Sequence, residues 1–279
     1  FMADAKYSEV LDIASSTILL TGGSSGIGLG LARCFVNAGA QVLITGRREQ
    51  QLKEAVEELN SLGKKPVVYR INDVGDAEER LALYDWIIKE YPQTNILINN
   101  AGVQQRHPFI LSEDSSNNIS WQEREKEIQI NISAPIHLSQ LFISHFRTMK
   151  TTTTAIMTVS SGLAFLPAAR MPIYCATKAA IHSFSLSLRY QLKTQYPNIQ
   201  VYEIIPPAVQ TNLGGSHAFG EPLDEYCQAT FARLVQGEQE IGYKYSDERR
   251  KFQSREDFDQ KFLEFNDNFA ARILARLQQ

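Results

Sequence analysis

The segment Thr17-Ile-Leu-Leu-Thr21-Gly22-Gly23-Ser24-Ser25-Gly26-Ile27-Gly28 decides how the rest of the chain is read. Its first five residues are apolar or β-branched and predict a buried strand, and residues 27–38 predict a helix. Between them Gly22, Gly26 and Gly28 form Gly-x-x-x-Gly-x-Gly. Glycines so placed allow a tight turn, close approach of a pyrophosphate, and close packing of helix on sheet. The helix N-terminus then offers amide donors and positive dipole to phosphate. Strand, glycine turn and helix in that order predict a dinucleotide-binding turn made by Gly22, Ser24, Ser25, Gly26, Ile27 and Gly28. The same letters, Gly22-Gly23-Ser24-Ser25-Gly26, also fit the nucleophile elbow of hydrolases. That elbow follows several strands and needs a later acid and histidine. Here the motif follows the first strand, and no histidine stands at a clear strand end, so the hydrolase reading is the weaker one.

Outward from this turn, further short apolar runs alternate with helical stretches. Strands are expected at Thr17–Thr21, Gln41–Thr45, Pro66–Arg70, Asn95–Asn99, Thr154–Ser160 and Gln200–Ile205, with a short one near 239–243. Helices are expected near 27–38, 48–62, 76–91, 125–148, 174–195 and 222–236, with one more at the end of the chain. Strands that are nearly all apolar belong to a sheet covered on both faces. The expectation is therefore a single α/β domain over 16–279, a Rossmann-type doubly wound parallel sheet of about seven strands. Residues 1–15 are read as a tail, with Phe1 an addition ahead of Met2. Residues 104–123 are read as an exposed polar insertion, and 206–240 as a substrate loop and helix. The last helix carries Phe258, Phe262, Phe265, Phe269, Ile273 and Leu277 at spacings of three and four, a stripe for burial or a lid over substrate.

Composition narrows the function. A net charge of −3 at pH 7 leaves no electrostatic footprint for nucleic acid. Cys34, Cys175 and Cys227 are odd in number and widely spaced, which argues against a disulfide framework and for a reducing compartment. The five histidines show no metal-ligand spacing. Without a membrane-length apolar run, a soluble cytoplasmic protein is expected.

The chemistry centres on Tyr174-Cys-Ala-Thr-Lys178, with Ser161 thirteen residues upstream. Positions i and i+4 share a helix face, so phenol and ammonium can meet. A lysine cation near a tyrosine is expected to lower the phenol pKa and fit it for acid–base work. At the end of the second strand stands Thr45-Gly46-Arg47-Arg48, where an acidic residue would select NAD. Guanidinium groups instead suit a 2′-phosphate, so NADP(H) is expected, held by Arg47 in preference to Arg48.

With these pieces assembled, the chain resembles the short-chain dehydrogenase/reductase family over residues 16–212. The resemblance rests on Thr21-Gly-x-x-x-Gly-x-Gly28, Asn99-Asn-Ala-Gly102, Asn131, Ser161 and Tyr174-x-x-x-Lys178, all in the family's order. The Ser160–Phe165 and Tyr174–Ser185 stretches are further similar to the bacterial DltE-type subgroup. The resemblance implies that Tyr174 exchanges the proton with a carbonyl or alcohol and that Ser161 bonds the substrate oxygen. It implies that Lys178 lowers the Tyr174 pKa and binds the nicotinamide ribose, and that Asn131 holds a water linking Lys178 to solvent. Asp73 and Val74 would contact adenine, Asn100, Ala101 and Gly102 the nicotinamide ribose, and Pro207, Val209 and Thr211 the carboxamide and phosphates. Asn99 is read as a sheet-stabilising group. Pro206-Pro207 departs from the family's usual Pro-Gly and places the local loop geometry in question. The implied activity is NADP(H)-dependent carbonyl reduction or alcohol oxidation by a homodimer or homotetramer, without a metal. The apolar residues Val103, Phe165, Leu166, Met171 and Phe219 suggest a bulky apolar carbonyl substrate. A catalytically silent, NADP-sensing protein on the same fold is the alternative, though such a protein would be expected to lose the tyrosine or lysine.

Overall fold

Val, Ile, Leu, Met and Thr dominate the central strands because neither face of them meets water. In the computed structural model, β1 (Thr17–Thr21), β4 (Ile96–Asn99), β5 (Thr154–Val159) and β6 (Ile199–Ile204) are buried at every position. They are joined by β2 (Gln41–Gly46), β3 (Val68–Ile71) and β7 (Glu240–Ile241) into a seven-stranded sheet of order β3-β2-β1-β4-β5-β6-β7. All neighbouring pairs are parallel. The structure describes residues 11–105, 109, 120–213 and 219–277, with side chains placed up to Asp267 in the last helix.

The two-residue period of a strand divides the core into two layers. Ile18, Leu20, Ile44 and Ile98 pack with α1 (Gly26–Asn37), α2 (Glu49–Asn60) and α7 (Leu223–Val235) through Phe35, Leu52 and Tyr226. Leu19, Leu43, Leu97 and Ile156 face the other way, onto α3 (Ala77–Glu90), α5 (Ala134–Phe146) and α6 (Pro172–Gln195), through Leu83, Phe142 and Leu188. This is the expected doubly wound sheet, and its strand order reverses between β1 and β4, where ligands bind in such folds.

The differences from the sequence expectation are local. Leu11 and Ile13 lie inside the stretch read as a tail, yet both are buried in the core. The helix expected over 125–148 begins earlier, as α4 (Trp121–Ile128), because Ser120 and Glu123 form a capping box. It then passes through a π-helical turn, Gln129–Ser133, before α5. Such turns recur at functional sites, and this one carries Asn131. Most of the expected insertion, and the side chains of Phe269, Ile273 and Leu277, lie outside the described residues. The short helix α8 (Tyr245–Glu248) precedes the last helix, α9 (Arg255–Leu277).

At the amino end of the strands, opposite the glycine turn, Asn95 joins three segments. Its Oδ1 accepts from Thr17 N at 2.9 Å, and its Nδ2 donates to Ser16 Oγ at 3.2 Å and Thr153 O at 3.1 Å. Asn95→Ala leaves the buried Thr17 N–H without a partner and is expected to lower stability by about 2–4 kcal/mol. Urea denaturation checks this, with turnover of the folded variant unchanged.

Candidate active site

The glycine turn is held open by its neighbour across the strand-order reversal. Asn100 Nδ2 donates to Thr21 O at 2.9 Å and Gly22 O at 3.1 Å, while Thr21 Oγ1 accepts from the amides of Asn100 and Ala101, each at 3.1 Å. Gly22 has φ +68°, a region L-residues rarely enter. A Cβ on Gly28 would stand 2.2 Å from Gly22 O, so the helix approaches the turn as only glycine permits. Ser25 precedes α1 in an extended conformation and makes no side-chain cap. The first donor of the turn-closing ladder is Leu29, whose N–H reaches Ser25 O at 3.3 Å. The amides of Gly26, Ile27 and Gly28 therefore have no acceptor within the helix, as at any helix N-terminus. They form a cradle that fits a phosphate group.

The other expected cofactor residues ring this turn. Gly23 N donates to Thr45 O at 3.0 Å, which packs the turn against the end of β2. Arg47 and Arg48 follow, both exposed, and Arg47 Nη1 lies 4.0 Å from Asp73 Oδ2. Asp73 Oδ1 accepts from Gly75 N at 2.9 Å, and Val74 is buried against Ile130 and Leu138. Thr211 is buried beside Gly26, so the loop after β6 closes over the turn. Pro206 keeps a role despite its missing N–H, since its carbonyl accepts from Gly162 N at 2.9 Å. Pro207 is half-buried, and Val209 forms a bridge with Glu221. The donor set and the glycine cradle fit a dinucleotide.

Proline at the first turn starts α6, and a three-to-four residue rhythm buries Tyr174, Cys175, Thr177, Lys178 and Ile181. Asn131, Ser161, Tyr174 and Lys178 come together at the carboxyl ends of β4 and β5, each less than a tenth exposed. Lys178 Nζ donates to Val159 O at 2.8 Å and lies 5.6 Å from the centre of the Tyr174 ring. A methyl on Gly102 would stand 3.3 Å from Asn131 Oδ1 and 3.5 Å from Lys178 Nζ, so Gly102 makes room for both. The Asn131 side chain is committed to the chain: Oδ1 accepts from Val103 N at 2.9 Å, and Nδ2 donates to Val103 O at 2.8 Å and Thr177 Oγ1 at 3.1 Å. It clamps the segment after β4 to α6. Asn99, read as structural, donates to Ser139 Oγ at 3.2 Å and to Pro135 O.

One expectation is corrected. The Lys178 cation was expected to lower the Tyr174 pKa, but burial pushes that phenol well above its ordinary value, with the Ser161 hydroxyl beside it opposing the rise. Burial also lowers Lys178 to about 8, against the pull of Glu127 and Glu203. Desolvation sets both directions because both groups are sealed from water. The Cys175 thiol is pushed up by burial and accepts from Ala168 N at 3.2 Å, a packed thiol and not a nucleophile.

Three features escaped sequence reading. Ser160, the neighbour of Ser161, donates its hydroxyl to the buried Glu203, which also meets His182 Nδ1 at 2.8 Å. Ser160 is thereby turned into the sheet, while the Ser161 hydroxyl lies on the Tyr174 side. Glu127 on α4 is completely buried near Lys178. Asn266 on α9 accepts from Ala169 N at 2.7 Å and donates to Pro167 O at 3.2 Å, and Phe265 packs on the cluster of Tyr174, Cys175, Ala168 and Met171. Part of the C-terminal stripe thus covers the segment between Ser161 and Tyr174. Of the apolar residues expected at a pocket, Leu166 and Met171 are buried, and Phe219 is largely exposed.

A family model described as short chain dehydrogenase matches residues 16–219. The chain is 40% identical over 263 residues to an uncharacterized oxidoreductase, DltE, of Bacillus subtilis, covering 92% of this chain and 98% of that one. Among solved structures it is similar to a short-chain dehydrogenase from Sphingobium yanoikuyae in complex with NADPH. That likeness has TM-score 0.72 and 26% identity, and spans 81% of this chain and 87% of the other. A short-chain dehydrogenase/reductase from Burkholderia phymatum in complex with NAD shares the fold at TM-score 0.73 and 19% identity, over 83% and 90% of the two chains. The chain belongs to the short-chain dehydrogenase family of oxidoreductases. Among the described residues no helix is long and apolar enough to cross a membrane.

The His182–Glu203 pair gives a stability signature. Its hydrogen bond to Glu203 raises the His182 pKa above 6.5 in the fold. A raised folded pKa contributes stability that is fully present below about pH 6.5 and lost as pH rises through the higher folded value. His182→Gln is therefore expected to lower the melting temperature most in mild acid, with the deficit shrinking toward alkaline pH. Thermal unfolding across that range measures it.

Proposed function

We propose that the protein is an NADP(H)-dependent carbonyl reductase or alcohol dehydrogenase. The observation that carries this reading is the buried convergence of Asn131, Ser161, Tyr174 and Lys178 beside the glycine cradle. NADP(H), when bound, supplies or accepts the hydride at the substrate carbon. The first-turn amides of α1 bind the pyrophosphate, and Arg47, with Arg48 beside it, takes the 2′-phosphate. Asp73 and Val74 border the adenine, Asn100, Ala101 and Gly102 the nicotinamide ribose, and Pro207, Val209 and Thr211 the carboxamide side. The absence of an acid at the end of β2 and the NADPH-bound S. yanoikuyae relative support the phosphate-bearing cofactor.

As hydride reaches a carbonyl carbon, negative charge develops on its oxygen. The hydroxyls of Ser161 and Tyr174 are close enough together to donate to one such atom, and donors already aimed there stabilise the transition state without reorganising. Tyr174 then gives its proton. Burial keeps the phenol protonated, which suits it to be the acid in the reducing direction. Lys178 supplies a buried positive charge on the same helix face. Asn131 holds Val103, and with it the wall of the site, to Thr177. The physiological unit is a cytoplasmic homodimer or homotetramer acting on a small carbonyl or alcohol.

Oxidation of NADPH across a panel of ketones, aldehydes and quinones tests the reading. Tyr174→Phe is expected to reduce kcat by about 10²–10⁴-fold with the fold intact; unchanged turnover would overturn the catalytic assignment of Tyr174, and a wild type that turns over nothing in the panel would leave the silent, NADP-sensing alternative. Arg47→Ala is expected to raise KM for NADPH by about 10- to 100-fold while NADH kinetics change little. Equal use of NADH by the wild type would overturn the assignment of Arg47.

A further inference from the structure

Glu127 is a carboxylate in a place where the fold otherwise admits little charge. It has no exposed surface, although Glu123, Glu125 and Lys126 on the same helix are exposed. Its Oε1 accepts from Gln105 N at 3.1 Å, and its Oε2 is buried without a hydrogen-bond partner among the described residues. One helical turn further on, Asn131 grips Val103 in the same segment. Two side chains at i and i+4 thus hold the chain after β4 by its backbone. An ionised carboxyl in such a position is costly unless a cation answers it.

That cation stands on α6, which packs against α4. Among the described residues, Lys178 Nζ has one hydrogen-bond acceptor, Val159 O, and the two carboxylates that bear on it are Glu127 and Glu203. Glu203 is already engaged by Ser160 and His182. Tyr174 and Cys175 on α6 are the other titratable groups facing Glu127, and Arg249 after α8 faces Cys175. Among the described residues, the segment after β4 offers the amide of Val103 to Asn131 and that of Gln105 to Glu127. Among the described residues, Lys178 is the cation whose charge bears on Glu127, across the packed faces of α4 and α6 and without a direct ion pair.

We propose that Glu127 is a positioning residue of the active site: its carboxylate, anchored on Gln105, is the counter-charge that keeps Lys178 an ammonium. Burial raises the Glu127 pKa, and Lys178 and the Gln105 N–H oppose the rise, so the two buried charges support one another. The proposal rests on the oxidoreductase reading only for its catalytic consequence; the coupling of Glu127 to Lys178 is a property of the protein without substrate.

The test is an NMR titration of the full chain carrying lysine labelled with ¹³C at Cε, with Lys178 assigned by the signal lost in Lys178→Met. The wild-type Lys178 midpoint is expected near the value of about 8 that burial imposes. Glu127→Gln keeps the shape and an acceptor for Gln105, and should move that midpoint to lower pH by about 0.5 unit or more. Glu125→Gln, which removes the same charge from the exposed face, should leave it in place. Should Glu127→Gln fail to fold, Glu127→Leu reads the same shift. The alkaline limb of kcat/KM for NADPH-dependent reduction should move to lower pH by the same interval. Superimposable titrations in Glu127→Gln and wild type overturn the proposal, as does a loss of stability with the alkaline limb unmoved. A shifted midpoint in a protein whose wild type reduces no carbonyl supports the proposal and overturns the carbonyl-reductase reading instead.

Discussion

The amide of Asn100 reaches across the point where the strand order reverses and holds the carbonyls of Thr21 and Gly22. In return, Thr21 Oγ1 accepts the amides of Asn100 and Ala101. These bonds join the turn after β1 to the segment after β4, the two pieces of chain between which a dinucleotide would lie. Gly22 can take its positive φ, and α1 can begin with free amides, because the far side of the turn is already satisfied. Gly102, two residues beyond Asn100, is placed by the same bonds beside Asn131 and Lys178. One short cross-link thereby relates the glycine turn to the buried cluster of Asn131, Ser161, Tyr174 and Lys178.

Burial dominates the electrostatics of that centre. Lys178, Tyr174, Cys175 and Glu127 are enclosed together, and each responds as desolvation requires: the three acids rise and Lys178 falls. A pairwise argument from the Tyr-x-x-x-Lys spacing places the two groups on one helix face correctly, but it gets the direction of the tyrosine pKa wrong. Spacing along a helix measures attraction and carries no information about how many water molecules the surrounding elements remove.

Around the centre, the protein spends polar side chains on backbone. Asn131 binds both polar atoms of Val103, Glu127 binds Gln105, and Asn266 binds Pro167 and Ala169. Each fixes a loop that borders the site and has no strand partner of its own. Rigid borders of this kind hold reacting groups within the small tolerances that proton and hydride transfer require. They also explain why the C-terminal helix matters to a site whose motifs all precede it: Phe265 and Asn266 cover the segment linking Ser161 to Tyr174.

The amino-acid sequence by itself determined the parallel sheet, its seven strands, the glycine turn after β1 and the helix face shared by Tyr174 and Lys178. Those features follow from local rules: apolar runs for strands closed on both faces, glycine where a backbone must bend or approach, and a four-residue interval on a helix. Tertiary structure alone decided the rest. It turned Ser160 toward Glu203 and Ser161 toward Tyr174, which no interval could choose. It gathered Glu127, hidden in a run of charged residues, into the vicinity of Lys178, and it packed Phe265 onto Tyr174. Partners distant in sequence meet only when the helices dock, and a residue's burial is set by every neighbour at once.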